Sequence, residues 1–400
     1  MQIRPILSAL RHHRLTTAMI VLEIALACAV LCNACFVVVG QLRMAHIRSG
    51  IDEPSLAVIT LGNFDHDRIA DIHARVLAGL RGIDGVTAVD AIEGLPFVDA
   101  GGADVSPDQE GKQGRYLANF YFGDRDTLHT LGVRLLEGRL PRDGELGSAD
   151  DKIQRVYVTQ SLARQLWPHG DPLGKSMWCC HGSGNFLVVG VVQRLIHAEP
   201  RDDAAADWSV FTAQRPDAMV SAQYLLRAPP DRLDAVLRQA RTAMGKLAPD
   251  ATLTDDMTGT VSDLRDRYFQ SSRATAGMLV GTMLALLAVT ALGIVGLSGY
   301  WVQQRRKQIG VRRALGATRG DIVRHFQTEN FLIVTLGILP GAVLAYVFNM
   351  MLMTHYELPH MPPAYLLVAA AVLWLLGQLA VLAPALRASR VPPVVATRSV

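Results

Sequence analysis

The stretch Ser298–Asn330, SGYWVQQRRKQIGVRRALGATRGDIVRHFQTEN, is a basic segment between two long apolar runs. Arg305, Arg306, Lys307, Arg312, Arg313, Arg319 and Arg324 are balanced in it only by Asp321 and Glu329. Cationic residues packed beside a membrane span are held on the cytoplasmic side, so the segment predicts a cytosolic connection between two transmembrane helices. Its middle, Ala314–Ala317, is small or apolar, a patch that a loop needed only for topology does not require. A short helix over Ile309–Leu315 would stop at Gly316, a residue suited to a helix C-terminus. Thr318 and Asp321 have the spacing of a capping box. The helix they open would carry Ile322, Val323 and Phe326 on one face and run on into the apolar stretch from Phe331. A push on 309–317 would then reach a membrane helix along a rigid rod. By composition alone, the segment fits a positively charged turn that only sets orientation equally well.

The same residues resemble the signature of the FtsX/MacB-type permeases of ABC transporters, a motif close to R-x-x-E-I-G-x-x-x-A-L-G-A. Here it spans Arg305–Ala317, with Ile309, Gly310, Ala314, Leu315, Gly316 and Ala317 in register. Gln308 stands where the family usually has Glu, which puts in doubt any salt bridge inherited through that position. The resemblance implies that Arg312, Arg313, Ala314, Leu315, Gly316, Ala317 and Thr318 form a coupling element that touches a separate ATPase subunit. Val156–Lys175 and Ala383–Arg398 are similar to the family's periplasmic domain and C-terminal ending, so the resemblance covers nearly the whole chain.

Working outward, the sequence predicts an α-helical membrane protein with four transmembrane helices and an α/β (α+β) extracytoplasmic domain inserted between the first and second. The expected segments are a cytosolic N-terminal stretch 1–16, a first span 17–42, a MacB-like periplasmic core domain 43–273 and a second span 274–300. The cytosolic coupling segment 301–329, a third span 330–353, a fourth span 364–386 and a cytosolic tail 387–400 follow. Residues 274–400 together would make the FtsX-like permease domain. Half of the 400 residues are hydrophobic and the net charge is +3. Lys and Arg concentrate in 1–16, 301–329 and 387–400, whereas 43–273 carries an excess of acids. The basic residues hug membrane spans, which argues against nucleic acid as a partner. The first apolar run is too long for a signal-peptide core, and about 20 residues suffice to cross the hydrocarbon, so it is read as a retained helix. Glu23 within it is costly in lipid. Together with Gly277 and Gly281, a GxxxG pair that permits close helix approach, it is a candidate for transmembrane packing.

Within 43–273 the pattern starts β-α-β: strand Ser55–Leu61, helix His66–Leu80, strand Val86–Ile92. Asp99–Gly114, polar and Gly-rich, reads as a surface loop. Arg115–Phe122, Arg155–Thr159, Phe186–Val192, Trp208–Ala213 and Ala222–Arg227 read as strands, with helices near Asp124–Leu131, at Ser161–Trp167 and at Pro230–Leu247. Thr258–Ser272 reads as a polar helix leading into the second span. Pro340-Gly341 predicts a kink in the third span, and Pro384 a break near the inner end of the fourth.

Catalytic constellations are not found. The histidines are scattered without an HExxH pattern. Gly174-Lys175-Ser176 imitates the end of a phosphate loop, but His169 occupies the place of the required first glycine. Cys28, Cys32 and Cys35 sit in an apolar run as packing residues. Cys179-Cys180-His181 is a weak hint of metal, and neighbouring cysteines bridge only with strain. The expected function is therefore non-enzymatic, without cofactor or metal: a permease subunit that couples ATP hydrolysis by a partner ABC ATPase to movement of its outer domain, for export of an antibiotic, peptide or similar substrate. Four spans are few, so a second permease copy or a related permease is expected as partner, in membrane lipid of the inner (plasma) membrane. A periplasmic adaptor and an outer-membrane channel are further partners left open. A lipoprotein-release or cell-envelope signalling permease is an alternative within the class. A membrane sensor with a ligand-binding outer domain is the alternative outside it, and the lack of any long cytosolic segment speaks against that one.

Overall fold

The computed structural model of the protein describes residues 14–142, 145–147, 151–199, 205–356 and 360–390. Residues 1–13 of the expected N-terminal segment, 357–359 of the expected outer loop and 391–400 of the expected tail lie outside the described residues, with Arg4, Arg11, His12, His13 and Arg398 among them. In chain order the elements are α1 (Arg14–Ala45), β1 (Leu56–Gly62), α2 (Ile69–Arg81), β2 (Ala88–Glu93), β3 (Gly101–Ser106), β4 (Tyr116–Gly123), α3 (Thr127–Thr130), β5 (Leu135–Gly138), β6 (Gln154–Thr159), α4 (Gln160–Leu166), β7 (Ser176–Cys179), β8 (Gly184–Val192), β9 (Ser209–Ala213), β10 (Ala222–Arg227), α5 (Leu233–Leu247), β11 (Thr252–Leu253), β12 (Gly259–Thr260), α6 (Val261–Tyr268), α7 (Gln270–Gln304), α8 (Arg306–Ala314), α9 (Arg319–Tyr356) and α10 (Ala364–Ser389). They separate into two compact units, one of Met1–Leu42 with Ser272–Val400, the other of Arg43–Ser271.

Among its described residues the first unit holds four helices long and apolar enough to cross a membrane: Thr17–Ala45, Gln270–Gln304, Arg319–Thr354 and Ala364–Ser389. Its core joins Ile24, Cys28 and Cys32 of α1 to Ile333, Val334, Ile338 and Ala345 of α9, and to Ala369 and Leu373 of α10. Small residues set the approach. A Cβ built on Gly337 would lie 2.6 Å from the Ile24 Cβ, and one on Gly341 2.7 Å from the Cys28 Cβ. The Asn33 amide Nδ2 reaches across from α1, donating to the Ala345 carbonyl at 3.1 Å as well as to Ala29 at 3.0 Å. Pro340 is contained within α9. The break expected at Pro384 does not occur, because α10 continues to Ser389. Proline's fixed φ is already helical and it forfeits one backbone bond; against that loss, Ala385 and Ala388 in the following turn are buried on Ile309, Ile322 and Phe326.

Among the described residues of the second unit, twelve strands make one mixed sheet, in the order β11-β1-β10-β2-β4-β3-β7-β8-β6-β9, with β12 on β1 and β5 on β8. Because β9 pairs with β6 and also, in parallel, with β4, the path β4-β3-β7-β8-β6-β9 closes on itself. The β1-β10-β2 side buries one face against the apolar stripes of α2 (Ile72, Val76, Leu80) and α5 (Leu233, Val236, Ala240, Met244). The closed path buries Val105, Val156, Val158, Met177, Val188 and Val210 with Leu162 and Leu166 of α4.

Two local expectations fail here. Part of the predicted loop Asp99–Gly114 is strand β3, paired antiparallel with β4 from Gly101↔Phe120 to Val105↔Tyr116 and capped at its end by β7. Two glycines and a polar composition hid it, since the pairing partner and not the side chains supplies most of what holds it. The predicted helix Thr258–Ser272 is interrupted at Phe269, whose side chain is 2% exposed and packs with Phe97 and Ile196. Arg265, from α6, braces the same corner. It donates to the carbonyls of Ala45 (2.9 Å) and Ile47 (2.6 Å), pairs with Glu53 at 2.6 Å, and stacks 5.1 Å from the Phe97 ring.

Candidate functional site

The turn predicted for coupling is built by two caps back to back. Helix α8 ends in paired bonds: the Gly316 N–H donates to the Arg313 carbonyl and the Ala317 N–H to the Arg312 carbonyl, both at 3.1 Å. This is the Schellman arrangement, which needs a left-handed residue after the helix. Gly316 supplies it with φ +98. Two residues on, the Asp321 N–H donates to Thr318 Oγ1 (3.2 Å) while Asp321 Oδ2 accepts from the Thr318 N–H (3.0 Å) and hydroxyl (2.6 Å). That reciprocal capping box satisfies the free donors at the start of α9. The chain therefore reverses from α8 into α9 over Leu315–Thr318 with its backbone groups largely paired, so the turn holds one shape.

The outward side of that turn is apolar at its tip. Leu315 is 84% exposed, and Val311, Arg312 and Ala314 are exposed beside it. Arg313 and Ala317 are half-buried and Thr318 is exposed. The seven residues Arg312–Thr318 thus lie together on one knob. The inward side is Ile309 and Gly310, buried with Ile322 and Phe326 of α9 and Val381, Ala385 and Ala388 of α10. A residue as large as leucine left in water costs about 1.5–3 kcal/mol relative to burial. Leu315 stands at the tip of a doubly capped turn.

Behind the knob lies a pair that the motif reading missed. Arg305, at the junction of α7 and α8, points Nη1 at both carboxylate oxygens of Glu329 on α9, each at 3.0 Å. Glu329 is 1% exposed, and the guanidinium sits 5.7 Å from the Trp301 ring. Gln308, the departure from the family pattern, is exposed and takes no part. The salt bridge therefore runs from the motif's first arginine to a glutamate twenty-four residues away. Only the pairing of acid and base within one basic segment could have hinted at it.

The packing candidates are split. A Cβ on Gly293 would lie 2.8 Å from Glu23 Oε2, so Glu23 rests on a glycine of α7. Gly277 and Gly281 have nothing within 4 Å of where a Cβ would stand. Among the described residues they make no close helix approach; the approach is made by Gly337 and Gly341 instead. Those two also have i, i+4 spacing, but the neighbouring Pro340 drew the sequence reading to a kink. In the second unit, Gly174-Lys175-Ser176 leads into strand β7 and opens no helix, and the Lys175 ammonium lies 5.7 Å from the Trp167 ring. Among the described residues no group of three His, Cys, Asp or Glu side chains is placed to hold a metal ion.

Parts of the chain are similar to known proteins. Residues 280–393 match the FtsX-like permease C-terminal family. The chain is 26% identical over 408 aligned positions to the macrolide export ATP-binding/permease protein MacB of Chromobacterium violaceum, covering 96% of this chain and 58% of that one. To MacB of Neisseria gonorrhoeae it is 26% identical over 237 residues, 58% of this chain and 36% of the relative. The chain thus spans well under two thirds of the length of these relatives. Among solved structures, the periplasmic region of MacB from Actinobacillus actinomycetemcomitans aligns with 56% of this chain and 97% of its own at 14% identity, with a TM-score of 0.37.

Proposed function

We propose, from the premise that residues 280–393 form an FtsX-like permease C-terminal domain, that this protein is the permease subunit of a MacB-type ABC transporter, driven by a partner ATPase. The observation that carries this reading is the apolar knob Arg312–Thr318, held rigid by two caps and keyed by Ile309 into the bases of α9 and α10. In this reading the knob is cytosolic and docks on the ATPase. Closure of the ATPase around nucleotide displaces the knob, Arg305–Glu329 carries the displacement to the ends of α7 and α9, and the spans pass it on to residues 43–271, outside the inner membrane. Work is thus done on a substrate such as an antibiotic or peptide without that substrate crossing between the four helices. A second copy of the chain, or a related permease, completes the transporter. A periplasmic adaptor and an outer-membrane channel are compatible with this arrangement.

The test is affinity purification in mild detergent of the wild-type chain and of Leu315→Asp. A charge at the tip desolvates poorly in an interface. The expected outcome is an ABC ATPase recovered with the wild type, and at least tenfold less with the variant, at equal membrane insertion. Equal recovery with both would remove the knob as the docking site, and recovery of a kinase instead would remove the transporter reading.

A further inference from the structure

Strand β7 ends at Cys179, and the turn Cys180–Ser183 returns the chain as β8, with Cys179 paired opposite Gly184. Neighbouring Cα atoms are only about 3.8 Å apart, closer than the partners of most disulfides. A bond between adjacent cysteines therefore needs an unusual turn, and the turn here is unusual. Cys180, His181 and Gly182 take φ values of +54, +59 and +86 in succession. Two non-glycine residues in the left-handed region cost free energy that something must offset. The two sulfur atoms stand 2.7 Å apart, well inside ordinary van der Waals contact. Gly184 clears the space for this, since a Cβ there would meet the Cys179 sulfur at 2.7 Å.

We propose that Cys179 and Cys180 form a vicinal disulfide, a reversible thiol-modification site on the outer domain. The proposal rests on the reading that this domain lies outside the cytosol, where disulfides persist. Cys180 is exposed, whereas Cys179 is 5% exposed and packed in the core of the closed strand path. Burial pushes the Cys179 thiol up, so Cys180 is the sulfur that reacts first. Its thiolate attacks the disulfide of an envelope thiol–disulfide oxidant, forming a mixed disulfide and releasing one oxidant thiol. Cys179 then gives up its proton, and its sulfur displaces the oxidant's other sulfur. One S–S bond forms in this chain, and the oxidant leaves as a dithiol carrying the two electrons and two protons. Exposed disulfides are the labile kind. This one clasps a turn on which strand β3 and the loop after it rest: the His181 N–H donates to Asp104 Oδ2 and Gln109 Nε2 to the Gly182 carbonyl, both at 3.4 Å.

The test uses the full chain in intact cells, treated with a membrane-impermeant maleimide with and without a membrane-impermeant reductant. Trypsin releases Ser176–Arg194, which contains Cys179 and Cys180 but none of Cys28, Cys32 and Cys35. Mass spectrometry should find this wild-type peptide two hydrogens lighter and unalkylated without reductant, then alkylated at Cys180 after reduction. In Cys179→Ser, Cys180 should be alkylated without reductant. A wild-type peptide alkylated without reductant overturns the disulfide while leaving the outer location intact. Alkylation of neither chain until the cells are lysed places the segment in the cytosol and overturns both.

Discussion

Arg305 and Glu329 show what a single pair decides. A buried charge stripped of its partner costs on the order of 3–5 kcal/mol, whereas an exposed arginine on the knob interacts mainly with water. Arg305→Ala and Glu329→Ala are each expected to lower the unfolding midpoint in detergent sharply, and the double variant by less than the sum of the two, while Arg312→Ala leaves it nearly unchanged. Additive losses in that cycle would show that the two side chains are not coupled. Asp90, on β2, is the acid of the second unit with the clearest pH signature. It is 4% exposed, and burial raises its pKa to about 6, with Asp124 and Asp126 adding to the rise and the Thr130 hydroxyl opposing it. The folded protein therefore binds this proton more tightly than the unfolded chain does. The stability it contributes is complete below the unfolded value near 3.8 and is lost as pH rises through about 6. Asp90→Asn should gain on the order of 1–3 kcal/mol at pH 7.5 and nothing at pH 3.5, read as unfolding midpoints at the two pH values. A gain that does not depend on pH would show that the charge is not what costs stability.

At the scale of elements, local chemistry was legible where the signal is local. Thr318 and Asp321 announce a capping box, Gly316 announces a helix end, and both form. The alternation in 55–61 and the 3.6-residue period in 66–80 announce β1 and α2. β3 was not legible, because Gly101 and Gly102 give no strand signal and the element exists through its ladders to β4 and β7. Helix contacts in the membrane unit were legible only as a type. GxxxG recurs in α7 and in α9, and nothing in either pattern says which one meets a neighbour. Gly337→Val and Gly341→Val should separate α1 from α9 and lower the detergent unfolding midpoint by several degrees, since Cβ atoms there would meet backbone or Cβ atoms of α1 within 2.8 Å. Gly277→Val should leave the midpoint of the isolated chain unchanged, so a matching drop there would put the close packing on α7 instead.

For the whole molecule, the proposed function requires the knob and residues 43–271 to lie on opposite sides of the bilayer, the arrangement expected from the Lys and Arg residues beside the spans. Single cysteines introduced at 315 and at 164, in a background with the native cysteines replaced, should be labelled by an impermeant maleimide in intact cells only at 164. Labelling of both from the same side would end the coupling reading. The amino-acid sequence by itself determined how many helices can cross a membrane, where the chain turns between them and which residues form the knob. Those properties depend on composition, period and caps within a few residues. The tertiary structure alone decided that Arg305 finds Glu329, that α9 and not α7 brings its glycines against α1, and that the sheet closes through β9 onto β4. Each of these joins residues far apart in the chain, and the free energy of such a contact exists only once both partners are brought together and dried.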